Sequence, residues 1–340
     1  MAEDFRIIYT PLHGTGNIPV RSALKAVGFT NVTVVPEQEQ PDKDFPTVKF
    51  PNPEEHEAFT LAIELAKKQS ADIIIGTDPD CDRVGAVVRN TLGEYVVLTG
   101  NQTGALLIDY ILGSLKKQGR LNDRSTVINT IVTGKLGEKI AESYNVKTIS
   151  VLTGFKYIAE KIKEFESSGL EFVFGYEESY GYLAGTFVRD KDAVIASMLI
   201  CEMAAWYKKK GMTLYEGLMS LFRKYGFYKE SLTSVTFRGK EGMEEMVRLI
   251  NALRDKLPKE VGGIKVEEVR DYLDYHGPVR LPKENVLQFI LEDKSWFCIR
   301  PSGTEPKLKI YYSVIGNDWE DAGERMARLR AGVEAIVKVR

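Results

Sequence analysis

The sequence contains few cysteines and few histidines, three of each in 340 residues. Cys81, Cys201 and Cys298 are far apart, and none belongs to a CxxC or Cys/His pair with the spacing of a zinc ligand set. This pattern excludes a disulfide-stapled secreted domain and a zinc finger. It favours a reducing compartment, and we expect the protein to be cytoplasmic.

Long apolar runs and basic blocks are also missing. The most apolar stretch, residues 193–206, is interrupted by Glu202 and is too short to span a bilayer. No basic segment followed by an apolar segment stands near the first residue. A formal net charge of −2 provides no positive excess to neutralise nucleic-acid phosphates. We therefore expect neither a membrane nor a nucleic-acid partner.

The first two thirds of the chain alternate strand and helix patterns. Apolar, β-branched runs predict strands at 7–9, 32–35 and 72–76, and periodic segments predict helices at 19–27 and 53–69. The last of these helices has a proline in its first turn. Strands separated by helices indicate largely parallel sheets.

The pattern changes near residue 227, where adjacent strands with flanking helices become typical of an α+β domain. At 340 residues, the chain has the length of two or three domains. The predicted fold class is α/β, with two mixed α/β domains and a C-terminal α+β domain. We place the three domains at residues 1–119, 120–226 and 227–340.

An acidic loop, Asp-Pro-Asp-Cys-Asp-Arg at 78–83, directly follows the predicted strand at 72–76. Open α/β sheets bind ligands at the carboxyl ends of their strands. Asp78, Asp80 and Asp82 can converge on one hard cation, and Mg²⁺ prefers such oxygen ligands. An acidic triplet by itself is more often a solvated turn, but a buried strand leading into it favours a metal site.

A second motif, Arg-Pro-Ser-Gly-Thr-Glu-Pro-Lys, occupies residues 300–307 between two predicted strands. Backbone N–H groups around Gly303, the hydroxyls of Ser302 and Thr304 and the Arg300 guanidinium suit a phosphate dianion. A Ser-Gly-Thr loop alone is usually only a turn.

A third motif, Gly-Tyr-Glu-Glu-Ser-Tyr-Gly at 175–181, follows another short apolar strand. Carboxylates accept hydrogen bonds from hydroxyls and glycines permit close approach, so the motif suits recognition of a sugar. Two smaller elements, Leu-His-Gly-Thr-Gly at 12–16 and Thr-Gly-Phe-Lys at 153–156, also follow predicted strands. A lone His13 is more often structural than catalytic.

Together these segments resemble the phosphohexomutase family, over essentially the whole chain and in the family's order. The resemblance implies that Asp78, Asp80 and Asp82 are Mg²⁺ ligands and that Arg83 faces the active site. It also implies the residues that bind substrate: Thr153, Gly154, Glu177, Ser179, Arg300, Ser302, Gly303 and Thr304. The residue that assists proton transfer stays open among Arg83, Lys191 and His13.

The implied activity is that of a phosphoglucomutase or phosphomannomutase. Phosphoryl groups would move between the 1- and 6-positions of a hexose phosphate through a bisphosphate, with Mg²⁺ as cofactor and glucose 1,6-bisphosphate as activator of the intact enzyme. Family members carry a phosphorylated serine in a Thr-Ala-Ser-His-Asn-Pro-like loop of an N-terminal domain. The only Asn-Pro here, at 52–53, follows Phe50 and Pro51. We therefore expect that domain to be missing from this chain, and the chain to be inactive alone.

Two alternatives of other classes remain. A strand ending in Asp-x-Asp also opens the active site of haloacid-dehalogenase-like phosphatases, in which Asp78 would be the nucleophile. That alternative leaves the sugar and phosphate motifs unexplained, and Asp82 stands where Thr or Val is expected. The other alternative is a phosphosugar-binding module without catalysis.

Overall fold

The computed structural model describes residues 2–237, 239–302 and 307–337. The chain divides into two compact units, residues 1–221 and 222–340. The predicted boundary at 119/120 lies inside unit 1 and, like the boundary at 226/227, stays a prediction. None of the helices in the described residues is both long and apolar enough to cross a membrane.

Unit 1 contains two mixed sheets, each flanked by helices. Its strands are β1 (Ile7–Thr10), β2 (Val32–Val34), β3 (Ile73–Thr77), β4 (Val84–Arg89), β5 (Tyr95–Val97), β6 (Ser125–Thr130), β7 (Lys147–Val151), β8 (Glu171–Tyr176) and β9 (Tyr182–Ala184). Its helices are α1 (Asn17–Ala26), α2 (Thr60–Gln69), α3 (Gly100–Lys117), α4 (Leu136–Ser143), α5 (Phe155–Ser168) and α6 (Ala193–Lys209), followed by α7 (Leu214–Tyr225), in which the unit boundary falls.

The first sheet has the order β2-β1-β3-β4-β5, and the second has the order β7-β6-β8-β9. In each sheet three strands are parallel and the rest are antiparallel additions. The chain reverses its direction of travel across the sheet between β1 and β3, and again between β6 and β8. Loops that follow strands at such switch points form a ligand crevice. The acidic loop follows β3, and the sugar motif follows β8.

Unit 2 is an antiparallel sheet with two helices on one face. Its elements are β10 (Phe227–Thr236), α8 (Gly239–Asp255), β11 (Glu260–Val261), β12 (Ile264–Asp271), β13 (Leu287–Leu291), β14 (Trp296–Pro301), β15 (Lys307–Gly316) and α9 (Trp319–Val337). The sheet order is β10-β15-β14-β13-β12-β11. Apolar residues of α8 and α9, such as Ile250 and Leu329, pack on Phe289 and Ile310 of the sheet. The predicted fold class is confirmed.

The helix predicted for 53–69 is wrong at its start. A 3₁₀ turn occupies His56–Phe59, and α2 begins only at Thr60. The Asn52 side chain accepts a hydrogen bond from the backbone N–H of Glu54 at 3.0 Å. Such Asx turns compete with helix formation, and here Pro53 lies in the turn and not in the helix.

Helix α3 offers a matched test of how its glycines contribute to the packing of unit 1. A Cβ at Gly104 would lie 2.3 Å from the Tyr176 ring, whereas the nearest atom to a Cβ at Gly113 would be the Tyr144 hydroxyl oxygen, at 3.2 Å. Alanine favours a helix over glycine at both positions.

We expect Gly104→Ala to lower the free energy of unfolding by about 1–3 kcal/mol through overpacking, and Gly113→Ala to leave it unchanged or raise it by up to about 1 kcal/mol. Urea denaturation measures both; equal effects would contradict the packing account.

Candidate active site

The acidic loop folds around the carboxylate of Asp78, directly after β3. One oxygen of this carboxylate, Oδ1, accepts hydrogen bonds from the backbone N–H groups of Asp82 (3.1 Å) and Arg83 (2.9 Å). Cys81 turns the chain with a left-handed φ of 59°. The loop thereby brings one carboxylate oxygen of each of Asp78, Asp80 and Asp82 within 4.8 Å of the others.

The acidic loop concentrates negative charge at a partly desolvated position. Burial raises the pKa of Asp78 to about 7, and the charges of Asp82 and Asp80 act in the same direction. The hydrogen bond from the Arg83 backbone opposes this shift. A cation at the loop would relieve this repulsion between the carboxylates.

Two basic side chains lie beside these carboxylates. Lys191 Nζ is 2.9 Å from Asp82 Oδ2. The Nε atom of Arg83 is 3.8 Å from Asp82 Oδ1 and 4.0 Å from Asp78 Oδ2, while its Nη1 donates to Glu54 Oε1 at 2.7 Å. The structure thus brings the predicted Arg83 and Lys191 to the acidic loop.

The loop after β1 packs directly against the acidic loop. Thr15 donates its backbone N–H to the Pro79 carbonyl at 2.8 Å. A Cβ at Gly14 would lie 2.3 Å from the Cα of Pro79, so only glycine permits this approach. The backbones of the two loops are therefore in direct contact.

His13 lies in this supporting loop, and its side chain is buried. Its Nε2 is 2.8 Å from Thr47 Oγ1, and its Nδ1 is 3.2 Å from the Gln40 carbonyl oxygen. Both ring nitrogens therefore have partners in the 40–47 segment. A catalytic role for His13 stays a prediction of the sequence, and these contacts by themselves account for a structural role.

The predicted sugar motif forms a tight turn after β8. Glu177 is buried; its backbone N–H donates to the Gly181 carbonyl, and its Oε1 accepts from the Gly154 N–H, both at 2.9 Å. Burial raises the pKa of Glu177 against the opposing effects of the Gly154 N–H and Lys191. The structure therefore joins Gly154, and with it the Thr153 loop, to Glu177. Ser179 is half-buried within the same turn.

Main-chain contacts join the acidic loop to the sugar turn. Arg83 and Gly181 form an isolated antiparallel β-bridge, and Val84 donates its N–H to the Tyr180 carbonyl at 3.1 Å. A Cβ at Gly181 would lie 2.2 Å from Cδ of Lys191, so the lysine passes directly over the glycine. The two switch-point loops of unit 1 are thus held as one assembly.

The phosphate motif belongs to unit 2, at the hairpin between β14 and β15. The Nε of Arg300 donates to Glu284 Oε1 at 2.9 Å in a half-buried ion pair. Ser302 donates its N–H to the Lys307 carbonyl at 2.7 Å, which closes the hairpin. The predicted Gly303 and Thr304 lie outside the described residues.

Sequence reasoning missed two acidic partners, Glu54 for Arg83 and Glu284 for Arg300. Each lies in an irregular segment, 29 and 16 residues from its arginine. The only local signal for Glu54 was the Asn52-Pro53 turn that immediately precedes it. For Glu284 no comparable signal is present.

Comparison of the sequence with models of known protein families finds matches over most of the chain. Three sequence models of phosphoglucomutase/phosphomannomutase domains match it in order: α/β/α domain II at residues 1–93, α/β/α domain III at 99–225, and the C-terminal domain at 249–329. The chain belongs to the phosphoglucomutase/phosphomannomutase family. This assignment removes the haloacid-dehalogenase-like alternative.

Relatives within the family include a phosphoglucomutase of Staphylococcus haemolyticus, 40% identical over 94% of this chain and 59% of its own. The chain thus spans about three fifths of the length of that curated relative. Among solved structures, Paramecium parafusin (phosphoglucomutase) in its open form has a TM-score of 0.70 at 19% identity, covering 99% of this chain and 58% of its own. Aspergillus fumigatus N-acetylphosphoglucosamine mutase, in complex with GlcNAc-6P and magnesium, has a TM-score of 0.56 at 14% identity, covering 97% and 66%. Both structures support the fold.

Glu178 lies next to the predicted sugar ligand Glu177. The residue is half-buried, and its carboxyl group is the buried part. Its Oε2 accepts from Thr130 Oγ1 at 3.2 Å. Burial raises the pKa of Glu178 from 4.5 to about 7, with the charge of Glu177 acting in the same direction. Because the folded-state pKa exceeds the unfolded one, the stability from this group is complete at low pH and is lost as the pH rises through about 7.

We expect Glu178→Gln to remove this pH dependence, because an amide fills the same space without a charge. The variant should be more stable than the wild type at pH 8 by roughly 1–2 kcal/mol and should lose this advantage at pH 5. Urea denaturation at the two pH values is the measurement. The control is Glu160→Gln on the exposed side of α5. An advantage that is the same at both pH values would contradict the assignment.

Proposed function

We propose that this chain forms the metal-, sugar- and phosphate-binding domains of a hexose-phosphate mutase. The main-chain bridge between Arg83 and Gly181 is the observation that carries the proposal, because it joins a carboxylate cluster to a sugar-type turn at the strand ends of unit 1. The Staphylococcus haemolyticus relative is named a phosphoglucomutase. The reaction would exchange phosphoryl groups between the 1- and 6-positions of a hexose phosphate.

The acidic loop fits Mg²⁺ in its donor chemistry. Asp78, Asp80 and Asp82 offer hard oxygen ligands within 4.8 Å of one another, close to the spread that oxygens around one small cation require. The fungal mutase of similar fold is described as a complex with magnesium. When bound, Mg²⁺ would neutralise charge on the transferring phosphoryl group. The loop's own contribution is to hold three oxygens in place through the backbone contacts of Asp78.

Glu177 and Ser179 would bind hydroxyls of the sugar. The Glu177 carboxylate uses Oε1 to accept from the Gly154 N–H, and a carboxylate has further acceptor capacity for O–H donors. Lys191 and Arg83, held at the acidic loop, would donate to phosphate oxygens or assist proton transfer. Which of the two performs the proton transfer stays open.

In unit 2, Arg300 and Ser302 would grip the non-reacting phosphate together with Gly303 and Thr304. Glu284 fixes the Nε side of the Arg300 guanidinium, and an arginine has further N–H donors in the same plane. A phosphate dianion therefore suits this residue better than a neutral ligand. Catalysis of this kind consists of positioning and charge stabilisation.

The transferring serine is the part that we propose the family's domain I supplies. None of the serines in the 340 residues stands in a Thr-Ala-Ser-His-Asn-Pro-like setting. A bisphosphate such as glucose 1,6-bisphosphate would activate the intact enzyme by phosphorylating that serine. Binding and positioning of the substrate would then be shared by the residues of this chain.

We expect the 340-residue chain alone to form no glucose 6-phosphate from glucose 1-phosphate, even with Mg²⁺ and glucose 1,6-bisphosphate. A fusion that places domain I of the Staphylococcus haemolyticus relative before residue 1 should turn over. In the fusion, Arg300→Ala should lower kcat/KM by about ten- to a hundredfold, the range for charge-assisted contacts. A coupled glucose 6-phosphate assay measures each rate.

Arg270→Ala is the matched control, because Arg270 also pairs with a carboxylate, Glu268, in unit 2. It should leave the rate of the fusion nearly unchanged. Sustained turnover by the chain alone, lost on Asp78→Ala, would contradict the role given to domain I. A fusion that binds glucose 1,6-bisphosphate without any turnover would favour a binding module.

A further inference from the structure

Glu54 contacts the acidic site without being one of its predicted members. Its Oε1 accepts from Nη1 of Arg83 at 2.7 Å, and both side chains are about one third exposed. The other contacts of this guanidinium are longer, with Nε at 3.8 Å from Asp82 and at 4.0 Å from Asp78. The shortest ion pair of Arg83 is therefore with Glu54 and not with the predicted metal ligands Asp78 and Asp82.

Local structure fixes Glu54 at this position. The Asn52 side chain accepts the Glu54 N–H at 3.0 Å, and the Asn52 carbonyl accepts the Glu55 N–H at 2.9 Å. Pro53 is buried, and a Cβ at Gly85 of β4 would approach its ring to 2.9 Å. The turn is thus seated on the strand that begins directly after Arg83, and Glu54 points back to the arginine.

The position of the Arg83 side chain has a consequence for the acidic loop. A guanidinium keeps its charge at any ordinary pH and forms bidentate pairs with carboxylates. Besides Glu54, the carboxylates within 4.0 Å of the Arg83 guanidinium in the described residues are those of Asp78 and Asp82. A short pair with either would occupy an oxygen that a divalent cation needs.

We propose that Glu54 is a positioning residue that holds the Arg83 side chain away from the metal-ligating oxygens. The proposal rests on the proposed function, since it requires that Asp78, Asp80 and Asp82 bind a divalent cation. Glu54 raises the affinity for that cation by removing a competitor, and it acts only through Arg83.

The test is the affinity of the 340-residue chain for Mn²⁺ and Mg²⁺, measured by calorimetry without substrate. Glu54→Gln should weaken binding by about fivefold, the scale of a partly exposed ion pair. Glu54→Asp, which keeps the charge but shortens the reach, should weaken it nearly as much. Glu55→Gln is the matched control, because it removes the neighbouring, exposed charge, and it should change the affinity by less than about twofold.

The decisive comparison is made in the Arg83→Met background. There, Glu54→Gln should have no further effect, because the competing guanidinium is gone. An equal loss of affinity with and without Arg83 would show that Glu54 acts by its charge alone and would overturn the proposal. Unchanged affinity in Glu54→Gln would overturn it as well.

Cation binding by the wild-type chain separates a failure of this proposal from a failure of the proposed function. If the wild-type chain binds neither Mn²⁺ nor Mg²⁺, both the metal site and this inference are overturned. Binding by the wild type that Glu54→Gln leaves intact would overturn only the positioning role. Thermal unfolding of each variant confirms that the compared chains are folded.

Discussion

Asp78, Asp80 and Asp82 place like charges within 4.8 Å of one another at the end of a buried strand. Repulsion in such a cluster would open the loop unless something offset it. Two backbone N–H groups bind Asp78 Oδ1 from within the loop, and Lys191 approaches Asp82 from outside. The remaining features of the unit 1 site are arranged around this concentration of charge.

Close backbone approach explains how the loops stay in place despite that charge. Gly14 lets the loop after β1 touch Pro79, and Gly181 lets Lys191 pass over the sugar turn. A Cβ at Gly100, the first residue of α3, would lie 2.1 Å from the Glu178 carbonyl oxygen. A side chain at Gly14 or Gly100 would collide with backbone and force the loops apart, whereas one at Gly181 would displace the Lys191 side chain. The arrangement of the charged side chains therefore depends on close contacts at glycines, which have no charged or polar side chain of their own.

The sequence predicted the parts of this arrangement that follow from local pattern. An unbroken apolar run marks β3 as buried, and the acidic loop must then lie at its carboxyl end. The same reasoning places the sugar turn after β8. It fails at residues 53–69, where a side-chain turn at Asn52 delays the helix.

Contacts between distant segments could not be predicted in this way. Glu54 and Glu284 meet their arginines only once the chain has folded, and no periodicity marks either residue. For His13, the sequence could not predict the contacts with Gln40 and Thr47, and its catalytic role stays a prediction. Ion-pair partners and the contacts of a histidine ring depend on the tertiary structure.

We propose that the acidic loop after β3 holds a divalent cation. Anomalous scattering at the manganese edge, from crystals of the 340-residue chain soaked in Mn²⁺, is the measurement that tests this proposal. We expect an anomalous peak bounded by the carboxylates of Asp78, Asp80 and Asp82, and its loss in crystals of Asp80→Ala. Strong manganese peaks elsewhere on the molecule with none at this loop would contradict it.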